Sequence, residues 1–282
     1  MCIANTCINL EFWPLHFKTA TTVIIPKPNK ESYNTLKSFQ SIVLLNTTEK
    51  LIEKVISNYL QFHMTLNRFL DPNQFSGIRQ YSTIDAGLYF THLICTGWTK
   101  QCHTSIIAFD IAQFFPFLNY TFLSICFKKV GLNSNIIKFF DSYHSNHLTT
   151  YTWNRFSSPL FNTNVGVDQG TVLSPIISAI YLVLIIKIFK KRIKNLKEKI
   201  PTNILSFVDD SLLISQEKSY NLFSSFLLYR YNIMSKILLD SGLVMEYSKS
   251  KMFYFTRFQH SLNPSIDLIS AGGPILTPKP IW

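Results

Sequence analysis

Apolar runs that end in carboxylates are the most informative pattern along this chain. A buried strand is predicted over residues 105–109, and it ends at Asp110. A second apolar segment, residues 204–215, carries Asp209 and Asp210 at its centre, which predicts two short strands joined by a tight turn. Adjacent carboxylates repel each other and disfavour strands, so the pair indicates either a solvated turn or a site for hard divalent cations. The third carboxylate, with its similar setting, favours the cation site.

Residues 46–64 show the clearest helical periodicity in the chain. Asn46 is suited to cap the helix, and Glu49 three residues later completes a capping-box start. The apolar stripe of this helix is predicted to comprise Leu51, Ile52, Val55, Ile56, Tyr59 and Leu60. The opposite, water-facing side is predicted to comprise Glu49, Lys50, Glu53, Lys54 and Ser57. This helix is interpreted as packing rather than chemistry.

Shorter patterns supply the remaining elements. Residues 17–25 are β-prone and predict a buried strand, and a second capping-box pattern begins a helix at Ser82. A long apolar helix is predicted from Ile176, and Pro201 ends its basic continuation just before the carboxylate hairpin. The apolar stretch of residues 176–186 is shorter than the roughly 20 residues that cross a bilayer, so a buried helix is predicted there.

Composition indicates a globular, basic protein. Of its 282 residues, 47% are hydrophobic and 15% are charged, which is enough for a large core and one or two domains. The formal net charge of +11 suggests a polyanionic partner, either nucleic acid or a membrane surface. The five cysteines form no Cys-x-x-Cys pair, which argues against a zinc ribbon and for reduced thiols inside a cell. Residues 1–15 lack the pattern of a secretory signal peptide.

Seven blocks, taken in chain order, resemble the reverse transcriptase domain of non-LTR retrotransposons. The likeness covers about residues 17–255, and its blocks lie at residues 22–28, 38–46, 74–79, 109–115, 169–175, 207–210 and 242–249. The last four blocks resemble motifs A, B, C and D of that family. Each block is a weak signal by itself, whereas the full set in this order is a strong one.

The resemblance implies an α+β polymerase fold with fingers and palm, in which helices back an antiparallel palm sheet. It implies an N-terminal extension at residues 1–16, fingers with part of the palm at residues 17–104, and the palm with motifs A to D at residues 105–255. Residues 256–282 are then a C-terminal tail leading toward a thumb that we expect to be absent. On this interpretation the chain is a truncated or decayed copy of a mobile element.

The family's activity is RNA-directed DNA polymerisation, in which a primer 3′-hydroxyl attacks the α-phosphate of a deoxynucleotide. The resemblance implies two Mg²⁺ ions, which activate the attacking oxygen and stabilise the leaving pyrophosphate. Asp110 and Asp209 are the expected bridging ligands, and Asp210 supports them. The backbone carbonyl of Ile111 is expected to add a further ligand, as the corresponding group does in the family.

Five further residues are assigned to the nucleotide by resemblance. Phe115 is expected to pack under the incoming sugar and exclude a 2′-hydroxyl, with an ordinary core phenylalanine as the alternative. Gln169 and Gly170 match the pair that contacts nucleotide and template, and a glycine lets the backbone approach closely. Arg79 is a candidate forked donor to the triphosphate, with a surface ion pair as the alternative. Lys249 is a candidate general acid for the pyrophosphate, with a solvated lysine as the alternative.

Three departures from the family pattern bear on activity: Asp168 stands before Gln169, Pro116 follows the motif A aromatic, and Glu246 stands in motif D. A negative charge at Asp168 is expected to repel a triphosphate. The alternatives are therefore an inactive nucleic-acid-binding remnant and, disfavoured by Phe115, an RNA-dependent RNA polymerase. The expected partners are an RNA template, a DNA primer and deoxynucleotides, with no membrane and with an intracellular, nuclear location implied by the family.

Overall fold

The computed structural model describes residues 2–163, 166–196, 202–218 and 223–257, and the backbone of short strands at 266–267, 275–276 and 279–281. The chain forms two compact units that interleave along the sequence. The first unit contains Met1–Phe69 and Phe115–Ile180, and the second contains Leu70–Phe114 and Tyr181–Trp282. The boundaries expected for extension, fingers, palm and tail stay predictions, and most of the 256–282 tail lies outside the described residues.

Helices and strands are mixed along the described residues. The helices are α1 (Cys2–Asn9), α2 (Thr47–Leu66), α3 (Thr83–Thr99), α4 (Phe114–Phe117), α5 (Tyr120–Lys129), α6 (Ser134–Tyr143), α7 (Ser174–Lys194) and α8 (Phe223–Asp240). The strands are β1 (Thr19–Pro26), β2 (Phe39–Leu44), β3 (His103–Asp110), β4 (Leu148–Trp153), β5 (Phe156–Asn162), β6 (Thr202–Phe207), β7 (Asp210–Glu217), β8 (Lys251–Phe255), β9 (Ile266–Asp267), β10 (Ile275–Leu276) and β11 (Lys279–Ile281).

The first unit contains a four-stranded sheet in the order β2-β1-β4-β5. Strand β1 runs antiparallel to β2 and parallel to β4, and β4 pairs antiparallel with β5. The strand predicted at residues 17–25 is present, but its burial was predicted wrongly, because only Thr22 of β1 is fully buried. Thr22 and Thr149 share a hydrogen bond of 2.6 Å between their hydroxyls. Threonine and other β-branched residues are favourable in a half-exposed sheet. Residues 17–25 can therefore have a high β propensity without being buried.

Aromatic side chains form much of the core of the first unit. Trp13 is fully buried, and its ring centroid lies 5.8 Å from that of Phe139 and 5.3 Å from that of Tyr143. Phe139, Phe140 and Tyr143 project from α6, whose buried positions recur at helical spacing. This packing fixes Tyr143, whose hydroxyl donates to a buried carboxylate on α2.

Helix α2 begins where the sequence predicted and carries the predicted cap. The Asn46 side chain accepts a hydrogen bond from the Thr48 backbone N–H at 2.8 Å. The Asn46 backbone also favours the charged form of the Glu49 carboxyl group, as in a capping box, but the Asn46 side chain accepts from Thr48 and not from Glu49. Local sequence chemistry is therefore sufficient to locate the start of this helix.

The polar face predicted for α2 was wrong at its central positions. Glu49 and Glu53 are 2% and 0% exposed, whereas Leu51, assigned to the apolar stripe, is 64% exposed. Glu53 is buried because it finds donors inside the unit, namely the Tyr143 hydroxyl at 2.5 Å and the Val172 backbone N–H at 2.8 Å. Partners that are distant in sequence thus decide which face of this helix is buried.

The second unit contains a five-stranded sheet in the order β11-β8-β3-β7-β6. The central strand β3 runs antiparallel to both β7 and β8, and β6 runs antiparallel to β7. The edge strand β11 is parallel to β8. Helices α3 and α8 pack against strands of this sheet. This arrangement confirms the predicted α+β fold, in which helices back an antiparallel palm sheet.

Helix α3 approaches the sheet of the second unit closely at a glycine. A Cβ atom at Gly97 would lie 2.6 Å from Thr104 Oγ1 and 2.9 Å from Gln216 Nε2. Gln216 Nε2 also donates a hydrogen bond to the Leu93 carbonyl at 2.6 Å, so the helix is tied to β7. The capping box predicted at Ser82 is present at the start of this helix.

Helix α7 carries the apolar stretch that was predicted as a buried helix. Ile176, Ile177 and Ile180 in its first half are all buried. Its last turn is basic, with Lys191, Arg192 and Lys194. Within the part of the chain that the structure describes, no helix is both long enough and apolar enough to cross a membrane.

Glu49 is a buried acid, and hydrogen bonds offset only part of the cost of removing it from water. One of its carboxyl oxygens makes no hydrogen bond within the described residues. Burial raises the pKa of Glu49 to about 8, and the nearby Glu53 charge adds to the rise. The folded protein therefore holds this proton at neutral pH, whereas an unfolded chain releases it near pH 4.5.

We expect the free energy of unfolding to fall as pH rises from about 4.5 to about 8, because the unfolded chain loses the Glu49 proton first. Glu49→Gln removes this titration while keeping the side-chain shape and an acceptor oxygen. At pH 8 the variant should be more stable than the parent chain by about 4 kcal/mol, and at pH 4 the two should be equally stable. Urea unfolding at both pH values measures the difference, and parallel pH profiles for the two chains would contradict this assignment.

Candidate active site at the paired strand ends

Hydrogen-bonded register brings the two predicted carboxylate strands together in the second unit. In the antiparallel pair β3–β7, Asp110 lies directly opposite Asp210. Strand β6 pairs with β7 so that Phe207 lies opposite Asp210, which leaves Val208 and Asp209 as the bend of the hairpin. The structure therefore brings all three predicted carboxylates to one end of this sheet.

The bend of the hairpin holds a strained residue. Val208 has a φ of +56°, a left-handed conformation that is unfavourable for a β-branched side chain by about 1–3 kcal/mol. The Val208 backbone N–H donates to Ser76 Oγ at 2.7 Å. Strain of this kind persists where surrounding bonds fix it, and here the fixed bend sets the direction of Asp209.

The segment of residues 73–76 holds the hairpin through backbone hydrogen bonds to β6. The Ser206 N–H donates to the Asn73 carbonyl and the Phe75 N–H donates to the Ser206 carbonyl, each at 3.0 Å. Sequence reasoning assigned residues 74–79 to a family block but missed the structural role of Ser76. The sequence feature that could have indicated this role is a short polar run beside Phe75, which shows neither helical nor strand periodicity.

A second segment joins the site from the motif D region. The Glu246 N–H donates to the Asp110 carbonyl at 2.9 Å, and the Ile111 N–H donates to the Asp209 carbonyl at 3.2 Å. Ile111 is 2% exposed, so its backbone is fixed between the strand end of β3 and the hairpin bend. These bonds tie residues from motifs A, C and D into one rigid backbone frame.

Lys249 provides a positive charge at the carboxylates. Its Nζ donates to Asp110 Oδ2 in a close ion pair. The Lys249 side chain is 65% exposed, whereas that of Asp110 is 12% exposed, so the ammonium reaches the carboxylate from the solvent side. The hydrogen bond to Asp110 raises the pKa of Lys249, which keeps this side chain protonated at neutral pH.

The three carboxylates affect one another electrostatically. Burial raises the pKa of Asp209, and the charges of Asp210 and Asp110 raise it further, against a partial offset from Lys249. Burial and the Asp110 charge likewise raise the pKa of Asp210. The single ammonium of Lys249 therefore leaves the carboxylate repulsion only partly balanced.

The donor chemistry of this site fits a hard divalent cation. Carboxylate oxygens are the ligands that Mg²⁺ prefers, and three carboxyl groups lie at one end of the paired strands. Among the residues that the structure describes, no group of three or more His, Cys, Asp or Glu side chains is gathered into a metal-binding cluster. In the structure, Lys249 contacts an oxygen of Asp110.

A cavity of about 910 Å³ opens beside the carboxylates. It is lined on one side by α3, through residues that include Thr83, Gly87 and Phe90, and on the other by the strand ends. Its lining also includes Lys249 and Lys251 from the motif D region. The volume is in the range of pockets that bind small molecules, and acids and ammonium groups converge at its wall.

The other residues predicted to contact a nucleotide are divided between the two units. Arg79 belongs to the second unit, where it is exposed and does not line the cavity. Phe115, Gln169 and Gly170 belong to the first unit, and Phe115 is half-buried there. The roles of these four residues at a nucleotide stay predictions.

Asp168 was predicted to place a negative charge beside the residues that contact the nucleotide. Its Oδ2 lies 3.9 Å from His147 Nδ1 in the first unit. Burial raises the pKa of Asp168, and His147 opposes the rise. The carboxyl group thus has a weaker tendency to ionise than an exposed aspartate, which lessens the repulsion expected from the sequence.

A palm-like antiparallel sheet whose paired strands end in three carboxylates defines a nucleic-acid polymerase palm. The family described as reverse transcriptase (RNA-dependent DNA polymerase) matches residues 25–270. This match covers most of the 282 residues, so the chain belongs to the reverse transcriptase family. The family predicted from the motif order is thereby confirmed.

A protein of this family from Drosophila melanogaster is similar in sequence to part of the chain. The chain is 27% identical over 187 residues to the probable RNA-directed DNA polymerase from transposon BS of Drosophila melanogaster, a match covering 64% of this chain and 20% of that protein. The chain thus spans about a fifth of the length of this relative.

Solved telomerase structures share the fold. Apo telomerase from Candida tropicalis, truncated from its C-terminal domain, matches with a TM-score of 0.62 at 15% identity, covering 89% of this chain and 52% of that one. Telomerase from Candida albicans, in complex with a TWJ fragment of telomeric RNA, matches with a TM-score of 0.60 at 16% identity, covering 91% and 46%.

Removal of one carboxylate should stabilise the metal-free protein at neutral pH. Because the pKa of Asp209 is raised on folding, its ionisation opposes folding above the usual aspartate pKa and has no effect below it. Asp209→Asn should therefore increase the free energy of unfolding at pH 7 by about 0.5–1 kcal/mol, a value reduced by the partial exposure of the site. Near pH 3 the gain should disappear. Urea unfolding in the presence of a chelator tests this, and a variant less stable than the parent chain at pH 7 would refute it.

Proposed function

We propose that this chain is the polymerising part of a retrotransposon reverse transcriptase, which adds deoxynucleotides to a primer 3′-hydroxyl on an RNA template. The observation that carries this proposal is the set of three mutually repelling carboxylates at paired strand ends beside a cavity. Repulsion of this kind opposes folding, so it points to a cationic ligand that offsets it in the working protein.

In the proposed reaction, the primer oxygen forms a bond to the α-phosphorus while the bond to the bridging oxygen of pyrophosphate breaks. Two Mg²⁺ ions, when bound, would activate the attacking oxygen and stabilise the departing pyrophosphate. Asp110 and Asp209 would hold the ions, with Asp210 and the Ile111 carbonyl as supporting ligands. The rigid backbone frame around Ile111 supports this assignment, because ligands must be held in place before the metal binds.

Lys249 is proposed to assist the departure of pyrophosphate. Its raised pKa keeps it protonated at neutral pH, and its ammonium lies at the wall of the cavity beside Asp110. A protonated amine in this position can neutralise developing charge on the leaving group and transfer a proton to it.

Selection and binding of the nucleotide are assigned to the residues expected from the sequence. Phe115 would exclude a 2′-hydroxyl, Gln169 and Gly170 would contact the nucleotide and template, and Arg79 would contact the triphosphate. The φ of Gly170 is +110°, a conformation that residues with a side chain disfavour. This backbone conformation supports the assignment of a glycine to this point of the loop.

The proposed partners are an RNA template, a DNA primer and deoxynucleotides. The net charge of +11 supports binding to a polyanion. The telomerase of Candida albicans, which shares the fold, was solved with a fragment of telomeric RNA, and this supports RNA as the template class. A nuclear site of action is part of the same proposal and rests on the retrotransposon family alone.

Primer extension on an RNA template with an annealed DNA primer, deoxynucleotides and Mg²⁺ tests this function. We expect incorporation by the parent chain and a loss of at least about a hundredfold in Asp209→Asn, because a metal ligand is removed. Asp240→Asn is a matched control in the same unit. Asp240 is exposed at the end of α8, and its 3.5 Å ion pair is with Arg192 of α7. Its rate should be unchanged.

The same assay separates the alternatives. Salt-sensitive binding of template and primer without incorporation would replace the proposal with an inactive nucleic-acid-binding remnant. Faster incorporation of ribonucleotides than of deoxynucleotides would indicate an RNA-dependent RNA polymerase. Full activity in Asp209→Asn would refute the assignment of the carboxylates.

A further inference from the structure

A buried carboxylate in the first unit lies behind the loop of residues 166–173, which contains Gln169 and Gly170. Glu53 of α2 is fully buried, and its Oε2 accepts a hydrogen bond from the Val172 backbone N–H at 2.8 Å. The neighbouring Leu173 backbone amide also favours the charged form of this carboxyl group. The end of the loop is thus held by one side chain from a different element.

The other carboxylate oxygen of Glu53 is also held. Oε1 accepts a hydrogen bond from the Tyr143 hydroxyl at 2.5 Å, and the ring of Tyr143 is packed against Trp13. Burial raises the pKa of Glu53, while the bonds from Tyr143, Val172 and Leu173 oppose the rise. A buried carboxylate is tolerated when donors satisfy both of its oxygens, and these donors meet that condition.

The amides that Glu53 holds directly precede α7. Ser174 is the first residue of this helix, so Val172 and Leu173 lie at its N-terminal end. The unpaired N–H groups at a helix start carry partial positive charge, and a carboxylate there is favourable. Glu53 therefore secures both the end of the 166–173 loop and the start of the helix that follows it.

The middle of the 166–173 loop is held from β2. The Gln169 carbonyl accepts a hydrogen bond from the Val43 backbone N–H at 2.9 Å. A Cβ atom at Gly170 would lie 3.1 Å from the Val43 carbonyl oxygen, so the loop backbone lies against the strand. Contacts from β2 and α2 thus fix the loop at two successive points, Gln169 and Val172.

We propose that Glu53 is a positioning residue for the incoming nucleotide, because its carboxylate fixes the 166–173 loop in the conformation that presents Gln169 and Gly170. This inference rests on the proposed function, since Gln169 and Gly170 matter only if this loop binds a nucleotide. Pre-organised loops lower the entropy that is lost on binding, so loosening the loop weakens nucleotide binding more than it slows the chemical step.

Steady-state primer extension with Glu53→Gln tests this role. The amide keeps the size of the side chain but removes the charge and one acceptor. We expect the KM for deoxynucleotides to rise about tenfold while kcat and the affinity for template and primer change less than about twofold. A residue needed only for folding would instead lower the active fraction, which reduces kcat and leaves KM unchanged.

Two further variants serve as controls. Glu49→Gln alters a buried acid one turn earlier on α2, and it should leave the KM unchanged. Tyr143→Phe removes the donor to Glu53 Oε1 while leaving the Val172 bond, and it should raise the KM in the same direction by a smaller factor. If Glu53→Gln does not fold, Tyr143→Phe carries the test, and an unchanged KM in it would overturn the inference.

Amide hydrogen exchange separates this inference from the proposed function. In Glu53→Gln, exchange of the Val172 amide should accelerate by about tenfold or more, whereas Glu49→Gln should leave it unchanged. If the parent chain does not polymerise, the proposed function fails, and unchanged exchange in Glu53→Gln would show separately that Glu53 does not fix the loop. If the parent chain polymerises and Glu53→Gln keeps its KM, the inference fails while the function stands.

Discussion

The register between β3 and β7 forces Asp110 and Asp210 to face each other across neighbouring strands, with Asp209 beside them at the bend. Burial, together with the charges that this constraint brings close, raises the pKa of Asp209 and Asp210 and opposes folding. Much of the second unit serves to hold the arrangement. Ser76 fixes the strained bend at Val208, and backbone bonds from the motif D region reach the end of β3. A frame this rigid is expected where metal ligands must be arranged before the ion arrives.

Buried charge has a comparable role in the first unit. Glu53 is hidden from solvent, and it is tolerated there because Tyr143 and the amides before α7 donate to it. The two units thus share a principle, in which a carboxylate that is unfavourable in isolation organises the backbone around it. In the second unit the uncompensated charge faces a cavity and is available to a cation, whereas in the first unit protein donors satisfy it.

Features set by local sequence were predictable, and features set by distant partners were not. The capped start of α2 at Asn46 and the hairpin bearing Asp209 follow from a few neighbouring residues, and the motif order was sufficient to identify the family and the α+β fold. The buried face of α2 was predicted wrongly because the donors to Glu53 are 90 and 119 residues away along the chain. The left-handed φ of Val208 and its bond to Ser76 were likewise missed, because a β-branched residue carries no local signal for such a conformation.

The central claim is that the carboxylates at the paired strand ends form a cation site. Titration of the protein with Mn²⁺, followed by the electron paramagnetic resonance signal of the free ion, tests this claim without requiring activity. We expect saturable binding to the parent chain and to Asp240→Asn, and binding weaker by about tenfold or more in Asp110→Asn and Asp209→Asn. Equal affinity in all four proteins would contradict it, because the ion would then bind elsewhere on the chain.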